Sequence, residues 1–313
     1  MLKLSERTFM KKISNINKLV DVLVMIALLS SLLAFTDGSM AIFLTCPILL
    51  ALIYLSRGRK QYFLIFLGSM LMGLLFTDLT SIFYNMLALG IISLLFIGLT
   101  KSDYSDKNQI LISFAVISLL FIIFYKISML EEGLTIESMA IKLKEIIQAN
   151  TSYDFDMEIY RQSVAMYPSI LSGIGLLYSI FSLKVIRNYL AYKGLSDDMK
   201  SLNSIRITRK DAIIFLVIAT VIYLIFKRLG INSTYIIANI IWIMFILLLL
   251  NGLLIYDYLM SENRTLLSRG LSWFFIIIFF SFFAIFFIML GLMDMILDIR
   301  RRVRRPRARE EKL

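Results

Sequence analysis

Residues 236–256 read IIANIIWIMFILLLLNGLLIY, and residues 271–292 read LSWFFIIIFFSFFAIFFIMLGL. Neither stretch holds an aspartate, glutamate, lysine or arginine. Each is long enough to carry a helix through the ~30 Å hydrocarbon core of a bilayer, which takes about 20 residues. Their apolarity is continuous rather than alternating, so they read as helices and not as barrel strands. Seven further apolar runs lie at 19–35, 40–55, 62–76, 81–99, 110–125, 167–186 and 212–226. The runs 40–55, 62–76 and 212–226 fall short of a full span, as does 110–125 at the same length as the first. The sequence therefore predicts an all-α fold, a polytopic transmembrane bundle of eight or nine apolar helices with one external amphipathic helix.

Composition agrees. Apolar residues make up 59% of the chain, well above the ~45–50% of soluble domains. A soluble fold of 313 residues has too thin a polar shell to hide that surface, whereas lipid solvates it directly. Several chemistries are excluded at the same stage. The chain has no histidine, so imidazole bases and imidazole metal ligands are missing. Cys46 is its only cysteine, which rules out an internal disulfide or a thiolate zinc site. No glycine-lysine-hydroxyl loop for nucleotide phosphates occurs, so any ATP-driven work needs another subunit. No enzyme, cofactor, metal or nucleic-acid partner is expected.

The charges sit in islands that organise the chain: a basic N-terminus (1–18), five membrane helices (19–125), an external polar segment (126–166), a sixth helix (167–186), a basic cytoplasmic loop (187–211), the C-terminal membrane helices (212–297) and an arginine-rich tail (298–313). Lysine and arginine in short loops mark the cytoplasmic side. Arg57, Arg59, Lys60, Lys101, Lys107, Arg187 and Lys193 place the N-terminus inside, with the base-free turns 37–39 and 77–80 outside. Nine crossings would then leave seven arginines and a lysine of the tail outside, against the same rule. The conflict leaves eight or nine crossings open. Within the external segment Thr135 suits a helix N-cap and Glu137 a first turn. Ile136, Met139, Leu143, Ile146 and Ile147 follow at helical spacing, which predicts an amphipathic helix of about four turns.

Ionisable residues inside a membrane are the usual pointer to transport or proton relay. Here Asp21, Asp78, Asp211, Asp257 and Asp294 all fall near the ends of runs, where water or headgroups reach them. Neutral Asn85, Asn239 and Asn251 remain, and an asparagine in lipid needs a partner, so these are assigned to the bundle interior. Ala27, Ser31 and Ala34 put small side chains on the first helix, the kind of surface that lets a partner helix approach closely. Internal packing accounts for the same pattern. Asp154, Asp156 and Glu158 have a spacing open to a hard cation, although a solvated acidic loop is the commoner case. Arg300, Arg301, Arg302, Arg304 and Arg305 are candidates for contact with anionic headgroups.

The closing segment, Leu290-Gly291-Leu292-Met293-Asp294 through Asp298-Ile299-Arg300-Arg301, resembles the signature of the YybS-like family of polytopic bacterial membrane proteins. Tyr167-Pro168-Ser169, Asn239 and Asn251-Gly252-Leu253 are similar to that family too. The resemblance implies a distant likeness to the substrate-binding S components of energy-coupling-factor transporters, which capture small ligands and rely on partner ATPase and scaffold subunits. It implies a non-catalytic transport subunit in the cell membrane, with the lipid bilayer, other membrane subunits and a small ligand as partners. The rival expectation is a membrane scaffold or regulatory protein with no transported ligand.

Overall fold

The computed structural model describes residues 23, 25–27, 40–75, 79–151, 153, 155–195, 205–263 and 266–300. Among these residues the regular elements are all helices: α1 Met40–Arg57, α2 Arg59–Gly73, α3 Leu79–Lys101, α4 Asp106–Glu131, α5 Ile136–Asn150, α6 Met157–Ala165, α7 Tyr167–Tyr192, α8 Arg209–Arg228, α9 Ser233–Asn263, α10 Leu266–Ile278 and α11 Phe280–Leu297.

The described residues do not support the expected count of eight or nine membrane helices. Among the described residues, five helical stretches are long and apolar enough to cross: Ile82–Lys101, Asp106–Glu131, Met157–Tyr192, Ser233–Met260 and Phe280–Leu297. Leu44–Arg57 is a shorter apolar piece. The differences have physical causes. Helix α2 opens on Arg59 and Lys60 and ends at Gly73, so its apolar part is brief. Helix α8 is bracketed by Arg209, Lys210 and Asp211 at one end and Lys227 and Arg228 at the other. The Phe-rich run 271–292 is broken at Phe279, which leaves Phe280–Leu297 as the crossing piece. The run 19–35 lies almost entirely outside the described residues.

The chain divides into two compact units, residues 1–113 with 178–199, and residues 114–177 with 200–313. In the first unit α1 packs against α2 and α3. Gly58 joins α1 to α2 at φ +93°, a left-handed conformation that strains any residue with a Cβ. Tyr62, Ile65, Ser69 and Gly73 form the buried stripe of α2 at helical spacing. Lys101, at the end of α3, lies 4.4 Å from the ring of Tyr54 on α1. Arg187 on α7 pairs with Asp106, in the first turn of α4, at 2.9 Å. The α1–α2 turn, the α3–α4 turn and Arg187 therefore share one end of this unit, the basic one.

In the second unit α9 and α11 form the most extensive helix pair. They run antiparallel and touch backbone to backbone: a Cβ on Gly291 would fall 2.0 Å from the Leu248 carbonyl oxygen, and one on Gly252 1.8 Å from that of Phe287. Only glycine permits such a crossing. Helix α5 starts where expected, with Thr135 as N-cap and Glu137 in the first turn, and a reciprocal Thr135–Ser138 capping box closes it. It packs on α6 and buries Ala140, while Ile146 stays exposed. Helix α6, capped by the Asp156 side chain, is an element the sequence reading lacked. Helix α8 exposes Ile213, Leu216, Val217, Val221 and Leu224 on all sides and buries only Ala219. An apolar helix bare on every face is stable only where the solvent is itself apolar.

Candidate functional site

The densest polar cluster of the described residues lies in the second unit, where the end of α11 meets the segment 205–208 and α9. Phe287, Gly291 and Asp294 are the buried positions of α11 and recur along one face. Asp298 then adopts φ +56°, a left-handed cap that reverses the chain and turns Arg300 back onto the helix it has just left. Asp294 is 0% exposed and Arg300 only 7%.

Arg300 is committed on every side. Its Nε lies 3.1 Å from Asp294 Oδ2. Its Nη1 donates to the Ile205 carbonyl (2.5 Å), and its Nη2 to the Asn251 carbonyl (3.2 Å) and Oδ1 (3.0 Å). Arg206 adds a second cation. It donates to the Asp298 carboxylate and to the Asp294 carbonyl (3.3 Å), and its Nε stands 3.7 Å from Asp294 Oδ2. Arg209 donates to the Ile296 carbonyl. The arginines thus meet the last carbonyls of α11, where a helix gathers negative partial charge. Burial pulls the pKa of Arg300 below its ordinary value, against the pull of Asp294 in the other direction. Asn251 completes the arrangement: it donates to the Gly291 carbonyl (2.9 Å) and accepts from the Ile207 amide (3.2 Å). Ile205 to Thr208 is an extended strap whose backbone is satisfied by side chains of α9 and of the chain after α11. Thr208 then caps α8 in a capping box with Asp211.

A second polar region lines the first unit near its basic end, where the fully buried polar residues are neutral and the Arg187 Nε is buried beside them. Tyr62, in the first turn of α2, is 2.8 Å from Ser93 of α3. Gln109 and Ser113 are buried on α4, and Tyr178, Ser179 and Ser182 on α7. Gln109 donates to the Tyr104 carbonyl (3.0 Å), but its Oε1 has no hydrogen-bond partner, nor do Ser69 Oγ and Ser113 Oγ.

The model of the family described as Predicted membrane protein (DUF2232) matches residues 18–295. This chain belongs to that family. It is a multi-pass membrane protein, with apolar helices built to sit in a lipid bilayer. Comparison with curated proteins and with solved structures gave no match. The match covers the strap, α9 and α11 as far as residue 295, so it includes Asn251, Arg206 and Asp294, while Asp298 and Arg300 of the clasp lie just beyond it.

The positions singled out from sequence distribute as follows in this DUF2232 member. Asn251 is at the heart of the clasp. Asn239 is half-buried, accepts from the Ser169 amide (3.0 Å) and donates to the Ala165 carbonyl (2.9 Å), tying α9 to the start of α7. Asn85 is half-buried on α3. Ala27 is exposed; Ser31, Ala34, Arg301, Arg302, Arg304 and Arg305 lie outside the described residues, as does Asp154. Arg300 departs from the headgroup expectation, since its guanidinium is turned inward to Asp294 and Asn251. Asp294 is likewise corrected: it ends an apolar run, yet no water reaches it, because Arg300 and Arg206 cover it. Sequence reading missed the strap and Arg206. The one available signal was the Asn251-Gly252 and Gly291-Asp294 motifs, whose meeting point is the clasp.

Proposed function

We propose that the chain is a non-catalytic membrane subunit that holds a small ligand in its first unit and depends on partner subunits, among them an ATPase, in the manner of an S component. The observation that carries this reading is the set of buried oxygens without partners: Ser69 Oγ, Gln109 Oε1 and Ser113 Oγ. A buried polar atom left unpaired costs about 1–3 kcal/mol, so such atoms in an apolar bundle call for a bound molecule or an ordered water. The lack of histidine and the lone, buried Cys46 favour binding over catalysis. The likeness to the YybS-like family and to S components supports the dependence on partners. The test is purification from native membranes, with mass spectrometry of both the co-purifying proteins and the extracted small molecules. An ATPase subunit together with a retained compound is the expected result, and neither being present refutes the reading.

A second reading, a scaffold without transported ligand, draws on a different observation. The clasp is the most elaborate polar site described, and it joins polypeptide to polypeptide with its guanidinium groups already engaged. Recovery of partner proteins with no retained compound is what that reading predicts.

A further inference from the structure

We propose that α8 lies within the bilayer alongside α9, and that its outward surface is covered by lipid chains and not by a partner helix or a second copy of this chain. Three observations lead here. First, α8 is tied at both ends to a helix apolar enough to cross. The Ile207 amide, just before the Thr208 cap, donates to Asn251 of α9 (3.2 Å). At the other end Gly230 takes φ +76° and the Ile231 amide returns to the Phe226 carbonyl (3.1 Å), which reverses the chain into α9 at Ser233. Ser233 and Asn251 stand about 27 Å apart along α9, and the 20 residues of α8 measure about 30 Å. Helix α8 therefore runs beside the stretch Ser233–Met260 for most of its own length. Its charges, Arg209, Lys210, Asp211, Lys227 and Arg228, are confined to the two ends. Long basic side chains at a helix end reach past the hydrocarbon to the headgroups. The Arg300 bond to the Ile205 carbonyl keeps the base of the tail level with the start of α8, so this placement leaves tail and strap together.

Second, α8 covers only a narrow stripe of itself. Ala219 is buried and Ala212, Phe215 and Tyr223 are half-buried, four positions at helical spacing, and α9 is the helix on which it packs. The remaining arc, about two thirds of the circumference at 3.6 residues per turn, carries Ile213, Val217, Val221 and Leu224, each more than half exposed. Water does not tolerate a continuous apolar surface of that extent. Third, the outward arc has nothing with which to hold a helix. In lipid, helices associate through small side chains that let backbones approach and through polar side chains that bond across. Both alanines of α8 belong to the covered stripe. Between the charged ends the one polar outward side chain is Thr220, whose hydroxyl donates to the Leu216 carbonyl of its own helix (2.8 Å). Branched aliphatic side chains meet lipid tails as well as they meet another helix, so a partner gains nothing by replacing the lipid.

The test uses the full chain in nanodiscs of mixed phosphatidylcholine and phosphatidylglycerol, with Cys46→Ala as background. Nitroxide labels are placed singly on Val217→Cys and Val221→Cys, and on Glu145→Cys, an exposed position of α5, as the reference for water. For each label the collision rate with oxygen, which partitions into lipid, is divided by that with a water-soluble nickel chelate. The expected result is a ratio at Val217→Cys and Val221→Cys about fivefold or more above that at Glu145→Cys, because the chelate is excluded from hydrocarbon. A ratio equal to that of Glu145→Cys places α8 in water and overturns the proposal. Slow collision with both reagents means that protein covers this face, and overturns it as well. Benzoylphenylalanine introduced at Val217 or Val221 in living cells provides the second arm, since any partner is present there. The expected product after irradiation is the chain carrying the added mass of a phospholipid. A cross-linked second copy or a cross-linked foreign protein overturns the assignment to lipid.

Discussion

At the scale of single residues the clasp shows how differently a carboxylate behaves once its surroundings are known. Asp294 follows Leu292 and Met293, and a count along the chain puts it where a span ends and water begins. Arg300 and Arg206 instead displace that water. Asp294→Asn leaves the buried Arg300 guanidinium without its counter-charge, while Arg206 keeps Asp298, and breaking a buried pair in this way costs about 3–5 kcal/mol. The variant is expected to melt markedly earlier in detergent. Asp294→Leu combined with Arg300→Met removes both charges, and its loss is expected to be smaller than the sum of the two single losses, an outcome a double-mutant cycle reads directly. Strict additivity would mean that the pair is not formed. Asn251→Leu strips the Ile207 amide of its acceptor and the Gly291 carbonyl of a donor, an expected loss of about 1–3 kcal/mol by the same melting measurement. Asn251 was legible in sequence as a buried polar side chain because an amide amid leucines has few alternatives. Its partners were not legible, because Ile207 lies 44 residues away and carries no side-chain polarity to mark it.

At the scale of elements, hydropathy found where helices begin more reliably than it found which of them cross. Thr135 and Glu137 announced α5 because capping is local, decided by residues within one turn. The break at Phe279 was invisible, since phenylalanine fills both sides of it and no proline or glycine marks the spot. Helix α6 was missed because Met157–Ala165 mixes polar and apolar residues and draws its footing from outside itself. Glu137 of α5 meets Arg161 of α6 at 2.6 Å, and Tyr235 of α9 donates to Glu158 of α6. The hydrogen bond and charge of Arg161 hold the Glu137 carboxyl below its usual range. A carboxylate with a lowered folded pKa contributes stability above its unfolded value, and that contribution is lost as the pH falls through the folded one. Hydrogen exchange in α5 is therefore expected to be unchanged from pH 7 down to about 5 once corrected for intrinsic rates, and to rise below about pH 4.5. Glu137→Gln should flatten that rise. An identical rise in the variant would show that the pair does not hold the helices together.

For the molecule as a whole the open matter is which side each end faces. In a Cys46→Ala background, Ser39→Cys and Asn150→Cys are expected to react with impermeant thiol reagents on intact cells, and Gly58→Cys and Ser196→Cys to stay silent. Reaction at Gly58→Cys without reaction at Ser39→Cys reverses the orientation. Charge counting left the tail in conflict with the number of runs, and the clasp bears on that conflict. Arg300 bonds to the carbonyl of Ile205, so the base of the tail and the end of the basic loop leave the second unit at one place. A reporter fused after Leu313 is accordingly expected to share the side of Ser196. A reporter on the opposite side would mean that the clasp does not exist in the membrane.

The strap has a further consequence, for the order in which the protein is made. Ile205 leaves the ribosome 95 residues ahead of Arg300, an interval of roughly 5–20 s at ordinary rates of synthesis. Within that interval α8 and then α9 emerge and become available to insert, while the Ile205 carbonyl lacks its guanidinium and the first of the two glycine-bearing helices lacks its mate. The second unit is thus closed from its C-terminal side, late, in a single event that brings Gly291, Asp294 and Arg300 into place together. A chain interrupted before residue 291 would carry every helix up to α10 and still present an open strap, the kind of unfinished surface by which a membrane protease tells a nascent chain from a completed one.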